Sequence, residues 1–150
     1  MSRPLARPVA LGVIRDGDEI FVFEGRDDVK RETFYRPLGG TIEFGERAID
    51  AVRRELAEEI AEEIKATVTR ADLLGVLENT YTYQGQPGHE IDFVFEVTVG
   101  DLARLRDGTV AGYEADGSTI ACVWKSLAEF GDRARLYPDG LLALLVAERG

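Results

Sequence analysis

The sequence predicts an α+β (α/β-type) domain in which a mixed β-sheet is sandwiched between helices. Three observations point to it. Short apolar runs separated by Gly and Asp turn signals fill the first third of the chain, as strands do. A stretch free of Gly and Pro follows, from Glu46 to Lys65, long enough for a helix. Strands and then a helix follow once more. With 150 residues, 45% of them hydrophobic and 31% charged, the chain suits one compact domain over 1–150 that buries its own core.

Taken in order, Pro8 to Arg15 and Ile20 to Phe23 are apolar runs on either side of Asp16-Gly17-Asp18, which reads as a β-hairpin. Phe34 to Pro37 is a short extended piece, Gly39-Gly40 a turn, and Thr41 to Phe44 a further strand. In the helix from about Glu46 to Lys65, Ile49, Val52, Leu56 and Ile60 recur at helical spacing and form a core-facing stripe. Leu73 to Asn79 and Ile91 to Val99 read as strands, the second apolar except for Asp92 and Glu96. Between them, Tyr81 to His89 reads as a loop. Thr119 to Trp124 is another strand. Ser126 and Glu129 have capping-box spacing and open a short helix. Asp139 to Glu148 is a final helix, apolar at most positions and so packed on the sheet.

Composition narrows the function. A net charge of −10 argues against a nucleic-acid partner gripped by a basic face. A small anionic substrate stays possible if a divalent cation helps to hold it. The single cysteine, Cys122, forms no internal disulfide and reads as a strand residue in the core. His89 is the one histidine, so any histidine-based triad or multi-histidine metal site has to centre on it. The longest apolar run, Leu141 to Ala147, falls far short of the roughly 20 residues a membrane span needs. No membrane association and a cytoplasmic location are expected.

The chemistry concentrates between Gly39 and Glu59. Five residues separate Gly40 from Glu46, and seven separate Glu46 from Arg54-Glu55-Leu56-Ala57-Glu58-Glu59. At about 100° per residue, Glu55, Glu58 and Glu59 share one helix face, with Arg54 beside Glu58 one turn away. Carboxylates this close repel one another, and a hard cation relieves them. Magnesium takes oxygen ligands and prefers one or two carboxylates together with phosphate and water. A solvated acidic helix face is the alternative.

The spacing as a whole resembles the signature of the MutT-like Nudix hydrolases: Gly, five residues, Glu, seven residues, then Arg-Glu-aliphatic-any-Glu-Glu-any-Gly-aliphatic. Gly40, Glu46, Arg54, Glu55, Leu56, Glu58 and Glu59 are in register with it. The chain departs from the pattern at its end, where Ala61 and Glu62 replace the Gly and the aliphatic residue, and Leu38 stands where many members have Pro. Without the Gly stop, the helix is expected to run about one turn longer than usual. The resemblance implies a Nudix-type mixed sheet between helices and a magnesium-dependent hydrolase, with Mn2+ as a substitute ion. It implies Glu55, Glu58 and Glu59 as metal ligands, the Gly39 carbonyl as a further ligand, Arg54 as the residue orienting the glutamates, and Glu46 in support. Water activated by the metal attacks one phosphorus of a diphosphate. The general base is either a glutamate of the signature or a loop carboxylate. Glu114 is the leading outside candidate, with Glu90 behind it.

The implied substrate is a nucleoside diphosphate linked to another moiety, of the ADP-ribose or nucleotide-sugar kind, with a nucleoside monophosphate as product. Hydrolysis of oxidised nucleoside triphosphates is the second reading. A non-catalytic nucleotide sensor is a third. An isoprenoid diphosphate isomerase, which would need a cysteine near the diphosphate, is a fourth. Tyr81 or Tyr83 either stacks on a base or packs against the sheet, and Arg36 either contacts a phosphate or is a surface charge. The family likeness also admits a homodimer.

Overall fold

The computed structural model describes residues 3–60, 67–107, 111–113, 119–131 and 134–149. Eight strands and three α-helices follow one another as β1 (Arg7–Asp16), β2 (Glu19–Asp27), β3 (Glu32–Thr41), α1 (Ala48–Glu59), β4 (Val68–Tyr83), β5 (Gln86–Val99), α2 (Leu102–Asp107), β6 (Ala111–Tyr113), β7 (Thr119–Ser126), β8 (Arg135–Leu136) and α3 (Leu141–Arg149). The strands run side by side in the order β4-β5-β1-β3-β2-β7-β6, and β8 pairs with β3. The β1–β5 and β3–β8 pairs are parallel and the others antiparallel, so the sheet is mixed as expected.

The curl of the sheet comes from β1 and β3. The last residues of β3, Leu38 to Thr41, pair with Gly12 to Val9 of β1. Its earlier residues, Glu32 to Pro37, pair with β2. The strand therefore bends between two neighbours, and the bend coincides with Gly39 at φ +150°. This corrects the sequence reading, in which Gly39-Gly40 was a turn and Thr41 to Phe44 a strand. The glycines lie inside β3 opposite Leu11 and Ala10, and the strand ends at Thr41. They are needed for close approach, because a Cβ on Gly39 would land on the Ala10 carbonyl oxygen.

Successive side chains on a strand point to opposite faces, and the core is split accordingly. Phe21 packs with Val52, Leu56 and Ile60 of the α1 region. Its neighbours Ile20 and Val22 pack on the other side with Leu141 and Leu145 of α3. Helices thus cover the two faces. In α1 the stripe is Ala51, Val52 and Leu56, all fully buried, whereas Ile49 is exposed. The helix is also shorter than expected. It starts at Ala48 and ends at Glu59, because Ile60 takes an extended conformation that carries its side chain into the core. Residues 61–66, where the signature departs, lie outside the described residues.

The β1–β2 hairpin, the capping box at Ser126 and the final helix match the sequence reading. The segment from Tyr81 to His89 does not. It forms the paired ends of β4 and β5, with Tyr81 opposite Gly88, because Gln84-Gly85 at positive φ closes a two-residue hairpin turn. Cys122 is half-buried in β7. Among the described residues no helix is long and apolar enough to cross a membrane.

Candidate active site

Helix α1 lies against the glycine end of β3, and the groove between them collects the signature residues. Arg54, Glu55, Glu58 and Glu59 come from the helix, Leu38 to Thr41 from the strand, and Glu43 from the connection. Arg54 is its hub. Its Nε and Nη2 grip the two oxygens of Glu46 at 2.8 and 2.9 Å. Its Nη1 reaches Glu55 at 2.9 Å and Glu58 at 3.4 Å, and its Nη2 also donates to the Thr41 carbonyl at 3.1 Å. The strongest partner of Arg54 is therefore Glu46, eight residues upstream, rather than Glu58 one turn away. Helix periodicity shows only the local neighbour, and the loop brings the distant one. The Arg54 hydrogen bonds, helped by the Glu43 backbone N–H, hold the Glu46 carboxyl down at about 2. The same bonds to Glu46, outweighing partial burial, raise the already high pKa of Arg54.

The three helix carboxylates stand in different surroundings. Glu59 is only 7% exposed, and its Oε2 accepts the Gly39 N–H at 3.2 Å. The side chain of Glu55 is 16% exposed and sits over Gly40, where an added Cβ would come within 2.5 Å of the carboxylate carbon. That of Glu58 is 52% exposed and the most loosely held. Among the described residues, no three acidic, histidine or cysteine side chains converge on one point. Glu55 and Glu58 face Arg54, and Glu59 faces the strand. The donor set still fits a hard divalent cation. Glu55, Glu58 and Glu59 line one groove with Gly39 and Gly40, Gly40 leaves the room that the Glu55 carboxylate fills, and magnesium asks for only one or two protein carboxylates.

A second cavity of about 290 Å³ adjoins the groove, and Arg7, Phe23 and Arg36 line both. Its wall is aromatic, with Phe34 meeting Tyr83 and Tyr137 edge-on at 5.7 and 5.6 Å. Tyr81 lies over Gly88 on the sheet, lines this cavity, and donates its hydroxyl to Glu90 at 2.7 Å. Tyr83 stands at the rim, 44% exposed. Arg36 is half-buried where the two cavities meet, its guanidinium makes no hydrogen bond or ion pair with another described residue, and its charge acts on Glu90, so it is not a plain surface charge. Glu90 lines the aromatic cavity and is absent from the carboxylate groove. Glu114 lies outside the described residues.

Sequence reasoning named Glu90 and Tyr81 singly but not the polar floor they form with Arg7 and Asn79. Arg7 opens β1 beside Glu90, which opens the apolar part of the parallel strand β5, and their side chains pair at 2.7 Å. Burial opposes the charge on Glu90, but the Tyr81 hydroxyl, Arg36, a hydrogen bond from Asp92 and Arg7 outweigh it and lower its pKa. Asp92, two residues on, is fully buried, and burial together with the neighbouring Glu90 pushes its carboxyl up. One signal was available: Asp92 interrupts an otherwise apolar run.

The chain matches the family model described as NUDIX domain over residues 5–142. Among solved structures it is similar to a MutT NUDIX hydrolase from Burkholderia pseudomallei, with a TM-score of 0.63 and 20% identity over 94% of this chain and 97% of that one. It is similar to the E. coli ORF135 protein, with a TM-score of 0.60 and 20% identity over 98% and 93%. A MutT structure from the pair Aliivibrio salmonicida and Vibrio cholerae gives 0.56 and 22% over 96% and 99%. No curated protein sequence matches. The structural likenesses show a shared fold, and the family model covers nearly the whole chain and spans the glycine–glutamate groove: the chain belongs to the Nudix hydrolase family.

Proposed function

We propose that this protein hydrolyses the diphosphate linkage of a nucleoside diphosphate joined to another moiety, with magnesium in the α1–β3 groove, and releases a nucleoside monophosphate. One observation carries the reading. The carboxylate groove and an aromatic cavity of about 290 Å³ adjoin, with Arg7 and Arg36 lining both. A ligand spanning them is expected to have a phosphate end at the carboxylates, anionic groups at the guanidiniums and a flat ring at the aromatic wall.

Glu55, Glu58 and Glu59, with the Gly39 backbone, would hold the ion, and Mn2+ would substitute. Bound there, the ion supplies Lewis-acid stabilisation of charge on the phosphoryl oxygens. The other work falls to the chain. Arg54 fixes Glu46 and restrains Glu55, so the acidic groove keeps its shape when no phosphate is present. Glu58, the most exposed and least tightly held of the three, is best placed to take a proton from attacking water. Arg36 acts on Glu90 through its charge alone and makes no side-chain hydrogen bond or ion pair with another described residue, so its guanidinium is available to meet a phosphate. Arg7 is anchored on Glu90 and keeps its other nitrogens for the same purpose.

The test is to incubate the protein with nucleoside-diphosphate-linked compounds and with nucleoside triphosphates, in magnesium or in chelator, and to resolve the products. Magnesium-dependent release of a nucleoside monophosphate from the linked compounds supports the reading. Turnover of triphosphates alone moves the substrate class to the triphosphates. Nucleotide binding with no turnover of any compound makes the protein a sensor.

A further inference from the structure

The β4–β5 hairpin overhangs the sheet. β4 is an edge strand, and the pairing of β5 with β1 begins at Glu90. The last rungs of the hairpin, from the pair Thr80 and His89 to the pair Tyr83 and Gln86, therefore lie beyond any third described strand. A two-stranded ribbon is marginal by itself in water. Tyr81 ties the ribbon near its base to Glu90 at 2.7 Å. Its tip is tied elsewhere, to the turn after β2, although three strands separate β2 from β4 in the sheet. Asp27, 1% exposed, makes the link. Its Oδ1 accepts the N–H groups of Val29 and Lys30, both at 3.0 Å, and so shapes its own turn. Its Oδ2 accepts the Gln84 N–H, at the tip of the hairpin, at 3.2 Å. The Asp28 N–H adds a second bond between the turns, to Gln84 Oε1 at 3.0 Å. The Lys30 N–H above all, with those of Gln84 and Val29 and the Lys30 ammonium, holds the Asp27 carboxyl below the usual carboxylate range, so it stays ionised.

Both tied turns border the aromatic cavity. Lys30 and Tyr83 line it together with Asp27, and Tyr83, next to Gln84, meets Phe34 edge-on at 5.7 Å. We infer that Asp27 is a positioning residue for ligand binding, whose carboxylate latches the two turns together and so holds the Tyr83 and Lys30 sides of the cavity in place before a ligand enters. The inference rests on the diphosphate-hydrolase reading for the ligand. A ligand that must order a loose ribbon loses affinity to that ordering, and a rim ordered in advance avoids the loss. Asp27 does not line the carboxylate groove, so the latch acts on the part of the ligand joined to the diphosphate and not on the ion or the phosphates.

Asp27→Asn is nearly isosteric and cuts the latch selectively. Its amide oxygen can still accept the Val29 and Lys30 N–H groups, which turns its NH2 toward the Gln84 N–H, donor against donor. Affinities in magnesium are measured by calorimetry for ADP, GDP, CDP and UDP, and for pyrophosphate, which has nothing to place in the cavity. The tightest of the four nucleotides is expected to weaken about tenfold or more in Asp27→Asn, while pyrophosphate stays within about twofold. Gln84→Ala, at an exposed position, cuts only the bond from Asp28 and is expected to show the same split at about threefold, so it carries the test if Asp27→Asn does not fold. Equal weakening of nucleotide and pyrophosphate overturns the inference, since it marks a general structural loss. Unchanged nucleotide affinity in a folded Asp27→Asn, or in Gln84→Ala where that variant alone folds, overturns it as well. So does a wild type that binds no nucleotide more tightly than pyrophosphate. Because the readout is binding, a failure of the hydrolase reading appears separately, as nucleotide binding that depends on Asp27 without turnover.

Discussion

Arg54 is placed among four carboxylates, at 2.8 to 3.8 Å from Glu43, Glu46, Glu55 and Glu58, and it allows so much negative charge to gather at one end of a helix. The glutamates around it differ in how far they depend on it, and so should their variants. Glu58→Gln removes an exposed charge and leaves Arg54 its bonds to Glu46. Glu59→Gln keeps an oxygen for the Gly39 N–H. Both proteins are expected to fold with unchanged melting temperature and to lose turnover by about 100-fold or more, which steady-state assays will check. Full activity in both would mean that the ion is held elsewhere. Asp92 gives a pH prediction of the opposite kind. Its folded pKa is raised from the usual 3.8 to about 8, so the folded protein keeps a proton that the unfolded chain releases. Stability contributed by this group is therefore present at low pH and falls as pH rises between about 4 and 8. Asp92→Asn cannot lose that proton. Its urea midpoint should match the wild type near about pH 4 and exceed it above about pH 8. A variant that is no more stable than the wild type on the alkaline side would show that folding does not raise the Asp92 pKa.

At the scale of elements, the meeting of β3 and α1 makes the groove, and two adjacent glycines serve it differently. A Cβ on Gly39 would meet the backbone of Ala10 and Leu11, at a φ of +150° that L residues rarely adopt. Backbone cannot step aside cheaply, so Gly39→Ala should cost about 3 kcal/mol of stability. The three atoms nearest a Cβ on Gly40 all belong to the Glu55 carboxylate, at 2.5 to 2.6 Å, and a side-chain end can move. Gly40→Ala should therefore fold nearly as well as the wild type and lose activity, because Glu55 is displaced. Denaturant titration and turnover, measured side by side on the two variants, separate the outcomes. Equal stability loss in both would indicate that the groove is more tightly packed around Glu55 than its geometry implies. The start of α1 was only loosely legible. Arg47 provides no side-chain cap, and burial of Ala51, Val52 and Leu56 against the sheet anchors the helix instead.

At the scale of the molecule, a net charge of −10 and a groove of paired carboxylates set negative charge against the anionic ligand proposed above. A cation bound only by the folded state stabilises it in proportion to the logarithm of its concentration. The melting temperature is therefore expected to climb with added magnesium in the wild type and to stay flat in Glu59→Gln. A parallel rise in both proteins would point to general screening of the charge by salt rather than to an ion held in the groove.

The sequence by itself determined the strand–helix alternation and the family signature from Gly40 to Glu59. Both rest on local spacing, and spacing along the chain survives folding unchanged. The same local logic misplaced Gly39-Gly40 as a turn and Tyr81 to His89 as a loop. A glycine that lets two backbones approach and a glycine that reverses a chain are identical until the neighbouring strand is known. Only the tertiary structure brought Arg7, Asn79 and Glu90 together under one aromatic wall, with Asp92 buried beneath them. It also joined Arg54 to Glu46 across a loop. These groups come from β1, β4, β5 and the approach to α1, and pairing between strands far apart in the chain leaves no periodic trace in the sequence.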